Sequence, residues 1–173
     1  NAAKLTIGGG DYMLTLDGNG KTRGAALLNI TSGTVHLYGT ITNGISSGPA
    51  GGVEIAGSST LYMYDGATVS KWECTANWGR GGAIAVRSGA VMNMYGGTIT
   101  GNRCYCAAAI YVEGGTFNMS GGTITGNTAT STSNHPADQP AAVEINPSGK
   151  FTKTGGSITG NSPKDIVNKS TLQ

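Results

Sequence analysis

A seven-residue phrase recurs along this chain and constrains its fold more than any other feature. It reads Gly96-Gly97-Thr98-Ile99-Thr100-Gly101-Asn102, then Gly121-Gly122-Thr123-Ile124-Thr125-Gly126-Asn127, then Gly155-Gly156-Ser157-Ile158-Thr159-Gly160-Asn161. Worn copies stand at Gly39-Thr40-Ile41-Thr42-Asn43 and Asp65-Gly66-Ala67-Thr68-Val69-Ser70. Each copy is a turn, a short polar–apolar–polar strand, and a second turn. Turn chemistry at this density, around a β-branched strand that keeps returning, specifies a solenoid rather than a globular core.

Two more alternating strands precede each copy. The first carries Leu28/Ile30, Val53/Ile55, Ile84/Val86, Ile110/Val112 and Val143/Ile145; the second carries Val35/Leu37, Leu61/Met63, Met92/Met94, Phe117/Met119 and Phe151/Lys153. Period-2 alternation puts these residues on one face. Strands this short cannot bury that face alone, but coils stacked about 4.8 Å apart bury each residue on its equivalent. Positions 28, 53, 84, 110 and 143 differ by 25, 31, 26 and 33 residues, and the surplus falls after the third strand. The longest such connection is the polar loop 128–140.

The expected fold is therefore all-β: a single-stranded right-handed parallel β-helix, about five to six coils of three short strands each. Handedness follows from the preference for right-handed parallel crossovers. An antiparallel sandwich is disfavoured by the self-similarity and by the lack of two-residue hairpin turns. One domain over 1–173 is expected, with 1–23 as an N-terminal cap or partial coil, 24–162 as repeat coils, and 163–173 as the C-terminal end. Met63, Met94 and Met119 should form one inward stack, flanked by Leu37 and ending at Lys153, where the core runs out.

Composition narrows the function classes. Thirty glycines in 173 residues do not follow a three-residue period, which excludes collagen. No Lys/Arg cluster marks a nucleic-acid surface, and no apolar run of about 18 residues marks direct membrane insertion. The start Asn1-Ala2-Ala3-Lys4 carries no leader pattern, so a fragment of a longer protein, or a mature form, is expected.

The run Gly81-Gly82-Ala83-Ile84-Ala85-Val86, followed by Met92-Asn93-Met94-Tyr95-Gly96-Gly97-Thr98-Ile99-Thr100-Gly101-Asn102, resembles the repeat of adhesin-like bacterial surface proteins. These belong to the broad right-handed, pectin-lyase-like β-helix group. The likeness covers about residues 24–168, and the stretch 160–168 resembles the way such arrays close. It implies an extracellular or cell-wall-attached setting and a glycan or a host or bacterial surface protein as partner. For activity it implies little, since this architecture carries lyases, hydrolases and inert stalks alike.

Catalysis on polysaccharides needs carboxylates set a few ångströms apart. The register aligns Glu54, Ala85, Tyr111 and Glu144 in one outward column, which leaves the two glutamates about 14 Å apart. Arg87 and Glu113 are adjacent in the next column, where a surface ion pair is the plain reading. His36 and His135 share no triad or metal spacing, although Asp138 lies near His135. No cofactor or metal is expected.

Cys74 and Cys104 each follow a third-strand apolar residue by five, which sets them one coil apart, at disulfide distance. Cys106 is near enough to compete for Cys74. Two outward ladders remain. Tyr38, Tyr64 and Tyr95 match in successive coils, with His36, Tyr62 and Asn93 two residues before them, as a row of aromatic faces able to stack on sugar rings or merely to reinforce the sheet. The pairs Thr40/Thr42, Thr68/Ser70, Thr98/Thr100, Thr123/Thr125 and Ser157/Thr159 resemble the flat arrays of ice-binding solenoids, though threonine is also ordinary on an exposed strand. Asn102, Asn127 and Asn161 form an amide column between turns. The residues favour a non-enzymatic adhesin or display stalk; a carbohydrate-active enzyme and an ice-binding protein are the alternatives.

Overall fold

The computed structural model describes residues 3–48, 50–76, 79–131 and 141–169. These form a parallel β-solenoid of about six turns, without helices. Two parallel sheets run its length. The ten-stranded sheet holds the first and second strands of every coil, and the nine-stranded sheet holds the third. His135 and Asp138 lie outside the described residues.

The core is built as columns of like residues. Leu28, Val53, Ile84, Ile110, Val143 and Ile166 align in the first column. Val35, Leu61, Met92, Phe117 and Phe151 align in another. Leu37, Met63, Met94 and Met119 stack as expected and end at exposed Lys153. The third strands contribute Leu16, Ile41, Val69, Ile99, Ile124 and Ile158. Met94 and Ile99 are wholly buried, while the end rungs Leu28 and Ile166 are not. Burial thus comes from neighbouring coils, as the pattern requires.

The strands are less uniform than three short pieces per coil. Leu28–Leu37 and Val53–Met63 run through the first corner unbroken, because their corner residues Ser32–Thr34 and Ser58–Thr60 pair with one another. The third strands Thr40–Ser46 and Thr68–Cys74 also continue past the repeat phrase. Asn43 and Lys71 sit there at φ 62° and 56°, re-aiming the chain so that Gly44 pairs with Trp72. Trp72 is 1% exposed. Its ring lies against Gly44, where a Cβ would collide with it, and its indole Nε1 is 2.9 Å from where a Gly52 Cβ would sit. These glycines make room for the largest residue of the core.

Trp72 heads the asparagine column. Its backbone N–H donates to Asn102 Oδ1 at 3.0 Å. Asn102 Nδ2 donates to Asn127 Oδ1, Asn127 Nδ2 to Asn161 Oδ1, and Asn161 Nδ2 to Asp165 Oδ1, at 2.8, 2.9 and 2.8 Å. Each Nδ2 also donates to a carbonyl one coil back: Val69, Ile99 and Ile124 respectively. The ladder is one-directional and ends on a carboxylate, so buried Asn102 and Asn127 leave no amide unsatisfied.

Candidate functional site

The second strands carry the aromatic ladder on their outer face, opposite the Val35–Phe151 and Leu37–Lys153 columns. The register continues one residue beyond each inward position. One outer column is His36, Tyr62, Asn93, Asn118 and Thr152; its neighbour is Tyr38, Tyr64, Tyr95, Ser120 and Thr154. All six proposed binding residues therefore share one patch.

Inside it the rings face one another. Tyr38 and Tyr64 stack with centroids 4.4 Å apart and planes 5° apart. His36 lies parallel to Tyr62 at 5.0 Å and to Tyr64 at 5.7 Å, and its Nδ1 is hydrogen-bonded to the Tyr64 hydroxyl at 2.9 Å. Tyr62 meets Tyr95 at 5.9 Å, while Tyr64 meets Tyr95 at 5.7 Å with a 52° tilt. Burial, then the charge of Lys4, lowers the His36 pKa and favours neutral imidazole at pH 7. Burial, then neighbouring Tyr38, raises the Tyr64 pKa. The open row of ring faces that the ladder suggested is thus corrected. Stacking at one-coil spacing turns the faces on each other, and Tyr95 is the most exposed of these rings, at 51%. Asn118 Nδ2 donates to Asn93 Oδ1 at 3.0 Å beside it.

A second cluster sits on the outer face of the first strands. The column Glu54, Ala85, Tyr111, Glu144 forms as the register requires. It is not a solvated face, however: Ala85 and Glu144 are 0% exposed and Tyr111 3%. Arg80 sits above the Tyr111 ring at 5.4 Å, and its Nη1 donates to the phenol oxygen at 3.3 Å. Arg87 lies 5.9 Å from the same ring. Glu144 Oε1 accepts from Lys169 Nζ at 2.6 Å and faces Arg80 Nη1 at 3.6 Å, while its buried Oε2 makes no hydrogen bond. Arg87 pairs with Glu54 at 3.2 Å and also with Glu113, so the expected pair is a triad.

Electrostatics follow the pairing. Burial works against both guanidinium charges, yet Glu144 raises the Arg80 pKa, and Glu113 and Glu54 raise that of Arg87. Burial raises Tyr111 as well, against the opposing bond from Arg80. Three carboxylates meet three cations, which is the pattern of a structural ion network rather than of a poised acid and base.

Cys74 and Cys104 are joined, with Cα atoms 4.6 Å apart, and Cys106 is buried outside that bridge. The threonine pairs align rung by rung. Some hydroxyls are spent within the array: Thr42 and Ser70 bond at 3.0 Å, and Ser157 and Thr159 at 3.2 Å. Among the described residues no three His, Cys, Asp or Glu side chains converge as a metal site, and no helix is long and apolar enough to cross a membrane.

Compared with protein families, curated proteins and solved structures, the chain matches none.

Sequence reasoning overlooked Trp72 and the covering of Glu144. The Gly44 beneath Trp72 was a signal for the first. The second depends on Arg80 and Lys169, which stand outside the repeat.

Proposed function

We propose that this chain is a non-enzymatic binding or display module of a cell-surface protein, adhesin-like in kind, recognising a glycan or a surface protein through its aromatic patch. The observation that carries the reading is the convergence of His36, Tyr38, Tyr62, Tyr64 and Tyr95 into one stacked outer surface. Aromatic rings rimmed by polar groups suit a ligand with one apolar face and several hydroxyls. The charged cluster supports the non-enzymatic half, because its carboxylates are neutralised by neighbours. The disulfide is compatible with an oxidising, extracellular or wall-attached location.

A glycan array with the purified chain tests this, with Tyr64→Ala in parallel. The parent should retain saccharides that the variant loses, and neither should depolymerise uronic or neutral polysaccharides. Equal retention by Tyr64→Ala would reduce the ladder to sheet reinforcement. Turnover of any polysaccharide would overturn the non-enzymatic reading.

A further inference from the structure

We infer that the ligand-contacting part of the patch is the C-terminal face of Tyr95, and that it takes a single neutral pyranose ring. This rests on the aromatic-patch reading and narrows it.

A ring inside a stack has both faces covered, so only the ends of the column can offer one. Tyr64 has Tyr38 stacked on one face, and Tyr95 crowds the other at a 52° tilt. At the N-terminal end the Gly8–Gly10 turn closes on Tyr38, with the Cβ position of Gly9 3.5 Å from the ring carbon Cδ2. At the C-terminal end the column continues as Ser120 and then Thr154, both exposed and both too short to cover a ring. That is why Tyr95 is half exposed while the rings above it are less so.

The surround suits a sugar. The Asn118-to-Asn93 bond spends one amide N–H and one carbonyl, leaving the Asn93 amide as donor and the Asn118 carbonyl as acceptor beside the ring. Ser120 and Thr154 add hydroxyls below. No ionisable acid or base except His36 and the tyrosines stands in the two columns. A pyranose with an apolar C–H face can stack on Tyr95 while its hydroxyls meet the asparagines. A uronic acid would find no Lys or Arg in these two columns to pair its carboxylate, so the neutral class is favoured. One ring in an open shelf implies dissociation constants of order 1 mM.

The test is a two-dimensional amide NMR titration of the 173-residue chain with cellotetraose, mannotetraose and tetragalacturonate. A neutral tetrasaccharide should shift the Tyr95, Asn118 and Ser120 amides. Tyr95→Ala should weaken that binding at least about tenfold, the loss of one stacked ring. Ser120→Ile, which covers the face without removing Tyr95, should do the same in a spectrum that remains folded. Glu73→Gln, at an exposed position of the third strand Thr68–Cys74 and away from the patch, should bind like the parent. If shifts cluster around Tyr38 instead, the shelf is wrong while the aromatic-patch reading stands. Tighter binding of tetragalacturonate overturns the neutral class. No shift with any of the three saccharides overturns the shelf and the glycan reading together.

Discussion

Two outer faces of the same sheet, one above the second strands and one above the first, solve the same problem in opposite ways. Both arise where alternation throws every other residue outward. The tyrosine face stacks like on like, and such a column is satisfied within and open at its end, at Tyr95. The charged face pairs opposite signs instead: Arg87 with Glu54, and Glu144 with Arg80 and Lys169. Its members compensate each other, from wholly buried Glu144 to the partly exposed Arg87, Glu54 and Glu113. A column of like residues leaves a face uncovered where it stops, whereas charges of opposite sign leave none of their partners over.

The contrast is broken most severely by removing Glu144. Glu144→Ala takes the carboxylate from between Lys169 and Arg80 in a fully buried setting, and should cost about 3–5 kcal/mol in urea unfolding. Glu54→Ala, at the more solvated end of the same network, should cost about 0–1 kcal/mol. Equal losses would mean that the network is uniformly exposed and the two faces do not differ in kind.

Next in size is the asparagine column, a stack of like residues that nonetheless closes itself. Asn127→Ala leaves the Ile99 carbonyl without its side-chain donor and Asn102 without its acceptor, and should cost about 1–3 kcal/mol. A smaller loss than that from Tyr64→Ala would show that ring stacking, not the amide ladder, ties these coils together.

How far these contrasts could be read in advance depended on what the repeat encodes. The inward columns were legible because alternation and self-similarity set the register together, down to Lys153 as the last rung of the methionine stack. Cys74 and Cys104 were legible because both stand five residues beyond the same phrase. Trp72 was not, since it replaces an asparagine in a column that the other copies define, and Lys71 must take a positive φ to place it. For the tyrosines, sequence supplies the column but not the ring orientation, and orientation decides which faces remain open.

The smallest expected effect is the pH response of the aromatic face. His36 has its pKa lowered, by burial first and Lys4 second. Above the unfolded value of about 6.5 the imidazole is neutral in both states, and stability is at its full value. As pH falls below 6.5 the unfolded chain binds the proton first, so stability declines until the folded pKa is reached and then levels. Protonation would also set a cation against Lys4 and fix Nδ1 as the donor toward the Tyr64 hydroxyl. Because His36 is partly exposed, the decline should stay below about 1 kcal/mol. Urea midpoints at pH 8, 7, 6 and 5, taken as parent minus His36→Gln, isolate the contribution of the imidazole. Lys4→Gln should flatten the difference only in part, since burial is the larger cause. A parent-minus-variant difference that is level from pH 8 to 5 would mean that the ladder leaves His36 as solvated as a free side chain, and that the closure separating inner rungs from Tyr95 is weaker than the stacking distances imply.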